Sequence, residues 1–535
     1  MARLNTTTKR LVRLMKRPES LLAASVFGLA CAVGTLVAVS MASCQSGLDL
    51  GSIGGEGQST QPPRRPAIKK DAQSGKPADP PPGAPITRDV PRTVGEPDLR
   101  VRILTAVDTV RVQAPGGVRI AMGDPRGLTS EPLPGLSGTA NGWSAAEVVV
   151  QPVTVSLRAG VWTLSTVAGN RPSFSPALST SSGGAALLIA PAVEGQILSV
   201  NGGSFPGVLR LSGRSDVRPA AFDVIEFVGL EDYLPGVVAK EMLAGWPAEA
   251  YRAQAVAART YAMHERERSI AAGQSFDLES SDKDQVYSGT TSNRAALQAV
   301  QATRGQALFD GDKVLRTYFS STCGGRTAAA KDTWPTGRGF EYNLAAPIQA
   351  FTRPHACEKS PLYRWTVSRT RKELAARLRT FGEKNGLMVR QLKDLKAIEP
   401  MSLNADGRAS RFKIVQGDGK WFQLSGEELR LACNTSVAGP GAIPVPGGAP
   451  ATDAIPAPSP SASPAEFPDI TRATRVNSSD LDVKLVGDKF VITGRGFGHG
   501  VGLCQYCANG FAQRGEDYRM MLTRFYPGAS LKQAY

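Results

Sequence analysis

Residues 236–264 read GVVAKEMLAGWPAEAYRAQAVAARTYAMH. With the residues just before them, Leu234, Val237, Val238 and Met242 fall at helical spacing, which predicts a helix from Leu230 to Met242 stopped by Gly245. Pro247 suits the first position of a second helix, Glu249 lies in its first turn, and the pattern runs to about Arg268. Ala250, Ala253, Ala257, Ala258 and Ala262 give that helix a face of small side chains, which lets another backbone approach closely. It is therefore expected in the core, carrying Gln254, Arg259 and Tyr261 inward. Glu241 sits at the end of the first helix beside Met242, Leu243 and Trp246. A carboxyl partly buried among such neighbours keeps its proton nearer neutral pH than an exposed one. The alternative is an ordinary helix-end glutamate in solvent.

Upstream, LRVRILTAVDTVRVQA, GVRIAM, AAEVVVQPVTVSLRAG, ALLIAP and GVLRLSGR are short β-branched runs separated by Gly, Pro and Asn turns. They predict a β-rich region over 98–221 that continues into the helices without a linker, and hence a mixed α/β (α+β) fold. Downstream, residues 369–377 read as a short helix, KDLKAIEPMS and SRFKIVQGDG as strands, and WFQLSGEELRLAC as a helix. Residues 434–468 are Pro/Ala/Ser linker.

The chain has 535 residues with 38 Pro and 56 Gly, so much of its length is linker. A basic head with Lys9, Arg10, Arg13, Lys16 and Arg17 precedes an uncharged run from Leu21 to Ala42, and then Ala42-Ser43-Cys44. This pattern over residues 1–43 is an export signal, with Cys44 a candidate lipidation site; a retained membrane span is the alternative. Both place the rest of the chain outside the cytoplasmic membrane, on its outer side or in the periplasm or outer membrane. Residues 44–97 are a Pro/Gly-rich tether. The 62 Lys and Arg against 47 Asp and Glu give a net charge of +15, which suits a polyanionic partner. No zinc-finger spacing, P-loop or clustered basic stretch points to nucleic acid.

Three segments together resemble the stage II sporulation protein D family (SpoIID/LytB): LEDYLPGVVAKEM...WPAEAYRAQAVAARTYAMH, RTYFSSTCGGRT at 316–327, and GRGFGHGVGLCQYCANGFAQRG at 494–515 with RFYPG at 524–528. The resemblance covers residues 222–535, so the linker at 434–468 becomes an insertion within one domain. Strands near Val483 to Thr493 are then expected to pack back beside the helices at 230–268. The resemblance implies lytic transglycosylase action on peptidoglycan glycan strands, or, in the amidase-enhancer branch, stimulation of an N-acetylmuramoyl-L-alanine amidase. The family's catalytic glutamate falls on Glu241. A single acid can do this chemistry, because the sugar's own C6 hydroxyl replaces the attacking water of paired-carboxylate hydrolases. Gln254, Arg259, Tyr261, Ser320, Ser321, Gly498, His499 and Gln505 are the expected substrate-binding residues. A glycan binder that stimulates an amidase, and a structural anchor between membrane and wall, are the competing readings.

Seven cysteines are present. Cys31 lies in the apolar run, which leaves Cys323, Cys357, Cys433, Cys504 and Cys507 in the exported portion, an odd number that argues against a purely disulfide scheme. Some members of the family carry zinc on a Cys/His set, and Cys323, His355, Cys357 and Cys504 are the candidate ligands for a structural zinc; no cofactor is required for the chemistry. Disulfides, Cys504 to Cys507 or Cys323 to Cys357, are the alternative. A Cys504 nucleophile served by His499 is the rival enzyme class. His264 is expected as a helix C-terminal cap or surface residue.

Overall fold

A computed structural model describes residues 94–123, 147–158, 161–166, 169–174, 186–214, 216–217, 220–281, 283–437 and 470–535. The export signal, Cys31, Cys44, nearly all of the tether and most of the 434–468 linker lie outside the described residues. Among the described residues no helix is long and apolar enough to cross a membrane.

The fold is mixed α/β, as the sequence implied. Among the described residues its eight α-helices are α1 (Leu230–Glu241), α2 (Ala248–Ala271), α3 (Arg294–Ala302), α4 (Ala330–Thr333), α5 (Arg371–Lys384), α6 (Gly426–Asn434), α7 (Gln505–Gln513) and α8 (Tyr518–Phe525). The strand Ala221–Gly229 lies inside a seven-stranded sheet, antiparallel to both Asp98–Val107 and Val208–Arg214. A six-stranded sheet that includes Thr109–Gln113, Val153–Arg158 and Val161–Thr166 packs against it, with Trp162 edge-on to Phe222 at 5.0 Å between ring centroids. The expected boundary at 221/222 thus falls at the start of a central strand, and one hydrophobic core runs through it from Leu99 to Tyr526.

Helix α2 is the hub of that core. Its alanines 250, 253, 257, 258 and 262 are fully buried, and α1, α3, α7 and α8 all pack on it. Small side chains permit this because four neighbours must approach one axis closely. α1 stops earlier than Gly245, at Met242, whose backbone is extended; Gly245, at φ +81°, supplies a left-handed turn in the connection, and Pro247 is the residue that caps α2.

A second core lies between Trp365 and Ile492. Its four-stranded sheet has the order Thr471–Arg472, Arg364–Thr370, Lys489–Arg495, Leu481–Val486, and its three-stranded sheet joins Ala397–Leu403, Ala409–Val415 and Trp421–Ser425. The strands near 483–493 therefore do not pack beside α1 and α2; they pair with Arg364–Thr370, and it is α7 that reaches α2. The segment WFQLSGEELRLAC splits into a strand and a helix because Ser425 and Glu428 form a reciprocal capping box that starts α6 at Gly426. Asn434 at the end of α6 exchanges two hydrogen bonds with the backbone of Val476, at 2.8 and 2.9 Å, so the chain segments flanking the linker lie side by side.

Candidate active site

Glu241 is the last residue of α1, and its carboxyl Oε2 accepts a 2.8 Å hydrogen bond from Gln505 Nε2, 264 positions away in sequence. Gln505 is the first residue of α7, held where the strand Leu503–Cys504 lies parallel to Phe319–Ser320. Tyr506 anchors the same point through a 3.0 Å bond from its N–H to Ser321 O, and its ring meets Trp246 edge-on at 5.0 Å. The Glu241 side chain is consequently half-buried. Burial pushes it up to about 7, opposed by the Gln505 amide, which favours the charged form. At neutral pH such a group divides its time between acid and carboxylate, the condition for donating and then accepting a proton.

Glu241 opens onto a cleft of about 870 Å³. One wall carries Tyr261, Tyr318, Phe319, Ser320, Gly498 and His499. Tyr318 and Trp334 stack at 3.9 Å, and Trp334 meets His499 edge-on at 4.9 Å, which makes an aromatic surface suited to the apolar faces of sugar rings. Further lining comes from the elements around the second core and includes Arg411, Gln423, Ser425, Glu427 and Arg430.

Behind Gln505, four buried cysteines converge: Cys323, Cys357, Cys504 and Cys507, with all their Sγ atoms within 4.8 Å of one another. Cys323 Sγ lies 3.7 Å from both Cys357 Sγ and Cys507 Sγ. Four thiolates at about 2.3 Å from a tetrahedral zinc stand about 3.8 Å apart, so the spacing fits a shared metal. It does not fit disulfides, whose sulfurs are bonded at about 2.05 Å. Hydrogen bonds from its three neighbours hold the Cys323 thiol well below its ordinary range, which favours the thiolate a metal needs.

A family model described as "Stage II sporulation protein" matches residues 219–309, the span that contains Glu241, α1, α2 and α3. That match and the relatives below make the chain similar to the stage II sporulation protein D family. It is 27% identical over 324 residues to stage II sporulation protein D of Bacillus subtilis, covering 58% of this chain and 76% of the relative. It is 29% identical over 313 residues to an uncharacterized protein of Brachyspira hyodysenteriae, covering 58% and 68%. It is also 26% identical over 323 residues to the Bacillus subtilis protein named amidase enhancer, covering 56% of this chain but only 40% of that relative.

The residues expected to bind substrate separate into two groups. Tyr261, Ser320, Gly498, His499, Glu241 and its partner Gln505 gather at the cleft. Tyr261 donates to Asp284 Oδ1 at 3.2 Å and accepts from Arg316 at 3.1 Å. Ser320 Oγ accepts from Gly500 N at 3.2 Å. His499 is neutral, its ring pushed down to about 4 chiefly by burial; Nδ1 accepts from Val501 N at 3.0 Å and the Phe319 carbonyl takes its other nitrogen. Both nitrogens are occupied, so it shapes the loop and cannot serve a cysteine as base.

Arg259, Gln254 and Ser321 stand apart from the cleft. Arg259 is fully buried and forks onto Glu231 at 2.7 and 2.9 Å, a structural pair that ties α2 to α1. Gln254 is fully buried on α2, and its amide has no hydrogen-bond partner among the described residues. Ser321 Oγ lies 3.3 Å from Thr322 Oγ1, and its carbonyl is used by α7. His355 is not in the cysteine cluster; its Nε2 lies 3.4 Å from the Tyr363 hydroxyl, and Cys507 takes the fourth corner. His264 is not at a helix end: α2 continues to Ala271, and the ring packs against Tyr342 with Nδ1 3.1 Å from Glu265.

The sequence reading missed Asp284, a half-buried carboxyl on the cleft, pushed up to about 6 by burial and by the neighbouring charge of Glu265. It stands in SSDKDQVY, a polar stretch with no periodicity to mark it. Trp334 and Tyr318, which also line the cleft, were missed too.

Proposed function

We propose that this protein is an exported cell-wall enzyme that cleaves peptidoglycan glycan strands as a lytic transglycosylase, with Glu241 as its one general acid and base. The observation that carries the reading is the Glu241 carboxyl itself, pushed up to about 7 at the wall of an aromatic-lined cleft and held by a single amide from Gln505. As the acid it protonates the glycosidic oxygen, and the bond from that oxygen to C1 of the muramyl residue breaks. The C6 hydroxyl of the same sugar then closes on C1, and the Glu241 carboxylate takes its proton, which regenerates the acid and leaves a 1,6-anhydromuramyl end.

Cys323, Cys357, Cys504 and Cys507 fit a structural zinc, which when bound would cross-link four chain segments behind the site. These residues fix Gln505: the Cys504 side chain caps α7, accepting from Cys507 N at 3.4 Å. The export signal and tether would hold the cleft outside the membrane, within reach of the wall.

A second reading, a non-catalytic glycan binder that stimulates a wall amidase, draws on the similarity to the relative named amidase enhancer. Mass spectrometry of peptide-free glycan strands, incubated with the chain or with Glu241→Gln, separates the two. Anhydromuramyl ends from the parent alone support catalysis. Equal binding by both with no such ends transfers the function to the second reading.

A further inference from the structure

Between residues 364 and 396 the chain carries ten Lys and Arg against three Asp and Glu, a surplus of seven in a chain whose net charge is +15. None of these residues lines the cleft. Helix α5 takes up much of the stretch and is followed by Gly386, which turns the chain back at φ +66°. The 3-10 turn Met388–Gln391 then returns along the helix: the backbone of Arg390 rests against Gly382, and Arg379 Nη1 donates to the carbonyl oxygens of Leu392 and Lys393 at 3.2 and 3.4 Å. Val389, Leu392 and Leu395 are buried in the second core and pin the segment there. Arg390, Lys393 and Lys396 alternate with them and stay exposed.

The carboxylates of this region do not cancel its cations. Glu373 is shared by Arg369 and Arg377, and Arg364 lies over the Tyr363 ring. Arg371, Lys372, Lys384, Arg390, Lys393 and Lys396 are exposed, and none of the six forms an ion pair with a carboxylate among the described residues. Three acids stand near them. Glu383 is exposed on α5, and Asp394 accepts from Gly417 N at 2.9 Å. Asp418 feels the charge of Lys393, and its Oδ1 accepts from Gln416 Nε2 at 2.7 Å and from Lys420 N at 3.0 Å. Six exposed cations against these three acids still leave an excess of positive charge. Within the same segment Met388 is 58% exposed, although Val389 beside it is buried. Cations that lack partners call for an anionic partner, and an apolar side chain among them calls for one with an apolar layer beneath its charge. A soluble polyanion would use the cations and leave Met388 in water.

We propose that α5 and the turn after it dock the folded domain onto an anionic lipid surface. The six cations meet the phosphate headgroups, and Met388 enters the boundary beneath them. This contact is additional to the N-terminal anchor read from the sequence, draws on none of the groups that line the cleft, and does not depend on what the cleft binds.

The test uses the full chain, reconstituted from detergent into vesicles of phosphatidylcholine alone or with about one third phosphatidylglycerol. Amide hydrogen exchange of residues 385–396 is followed by mass spectrometry. In the anionic vesicles exchange should slow at least about fivefold, and the slowing should vanish in about 0.5 M salt, which screens the contact. Each cation near such a surface strengthens docking about fivefold, so Lys384→Gln with Arg390→Gln and Lys393→Gln should weaken it about a hundredfold and abolish the slowing. Met388→Ala should reduce it severalfold. Arg111→Gln with Arg119→Gln and Arg158→Gln removes the same charge from exposed positions on the N-terminal sheets and should leave the slowing intact. Equal exchange of the parent in the two kinds of vesicle overturns the proposal. Equal loss in the two triple variants, both melting like the parent, also overturns it, because net charge alone would then explain the effect. Slowing by a soluble glycerol-phosphate polymer as large as that by the vesicles overturns the lipid occupant in favour of a phosphodiester polymer.

Discussion

Replacing Gln505 by leucine tests whether one amide sets the working pH of Glu241. The substitution keeps most of the side-chain volume and removes the 2.8 Å hydrogen bond to Oε2. Hydrogen bonds to charged groups contribute about 1.5–3 kcal/mol, and those between neutral groups about half as much, so the amide favours carboxylate over acid by about 0.75–1.5 kcal/mol. At 1.36 kcal/mol per pKa unit, its loss moves the carboxyl up by about one unit. The parent group sits at about 7, because burial outweighs the amide, so the variant's should sit near 8. The acid form is the one that protonates the leaving oxygen, so kcat/KM falls on the alkaline side as the free enzyme's acid titrates. At pH 8 the parent then keeps about a tenth of its protonated fraction and the variant about half. The assay is the release of 1,6-anhydromuramyl ends at subsaturating substrate from about pH 5.5 to 9.5, with melting temperatures to show that α7 still folds. An alkaline limb that stays near 7, or moves down, refutes the claim that this amide tunes the acid.

Other perturbations separate site from scaffold. Arg259→Ala leaves Glu231 buried without its partner and should cost about 3–5 kcal/mol in a denaturant titration, while the protein that remains folded binds glycan strands like the parent. Cys507→Ser should abolish retention of zinc, measured by atomic emission after dialysis, whereas His355→Ala should retain it. Gly498→Ala forces a non-glycine residue to φ +94° with its Cβ 2.9 Å from Ser320 Cβ; it should lose roughly 1–3 kcal/mol of stability and weaken strand binding, because the two cleft loops must part.

What could be read in advance follows the range of the interactions. Helices α1 and α2 were legible because their signals are local: an apolar stripe, an alanine face, Gly245 and Pro247. Their roles were less so. Arg259 looked like an inward-facing ligand group, and nothing near it in sequence announces that Glu231, on the first turn of the preceding helix, meets it in the core. The cysteine set shows the same limit in sharper form. Cys504 and Cys507 share one helical turn, and their closeness is implied by the i, i+3 spacing. His355 and Cys357 stand in an irregular segment, where spacing carries no direction, and the histidine turns to Tyr363 instead.

The cleft illustrates why a motif finds the acid but not the whole site. The family match ends at residue 309, while part of the cleft that Glu241 lines is built by residues 411–431, around a separate core. The alternation in SRFKIV correctly separates Phe412 and Ile414 from Arg411 and Lys413, so the sequence tells which side chains share a face. It cannot tell that the polar face shares a cleft with Glu241, because that depends on the strand Lys489–Arg495 returning across Arg364–Thr370 and delivering Gly498 and His499 beside Ser320. The same crossing commits both cores to one cleft. A substitution that loosens the second core, such as Trp365→Ala, should therefore widen the cleft and weaken strand binding even though Trp365 is fully buried and does not line it. Retained affinity in a variant with a lowered melting temperature would show that the wall formed by residues 411–431 does not hold the strand.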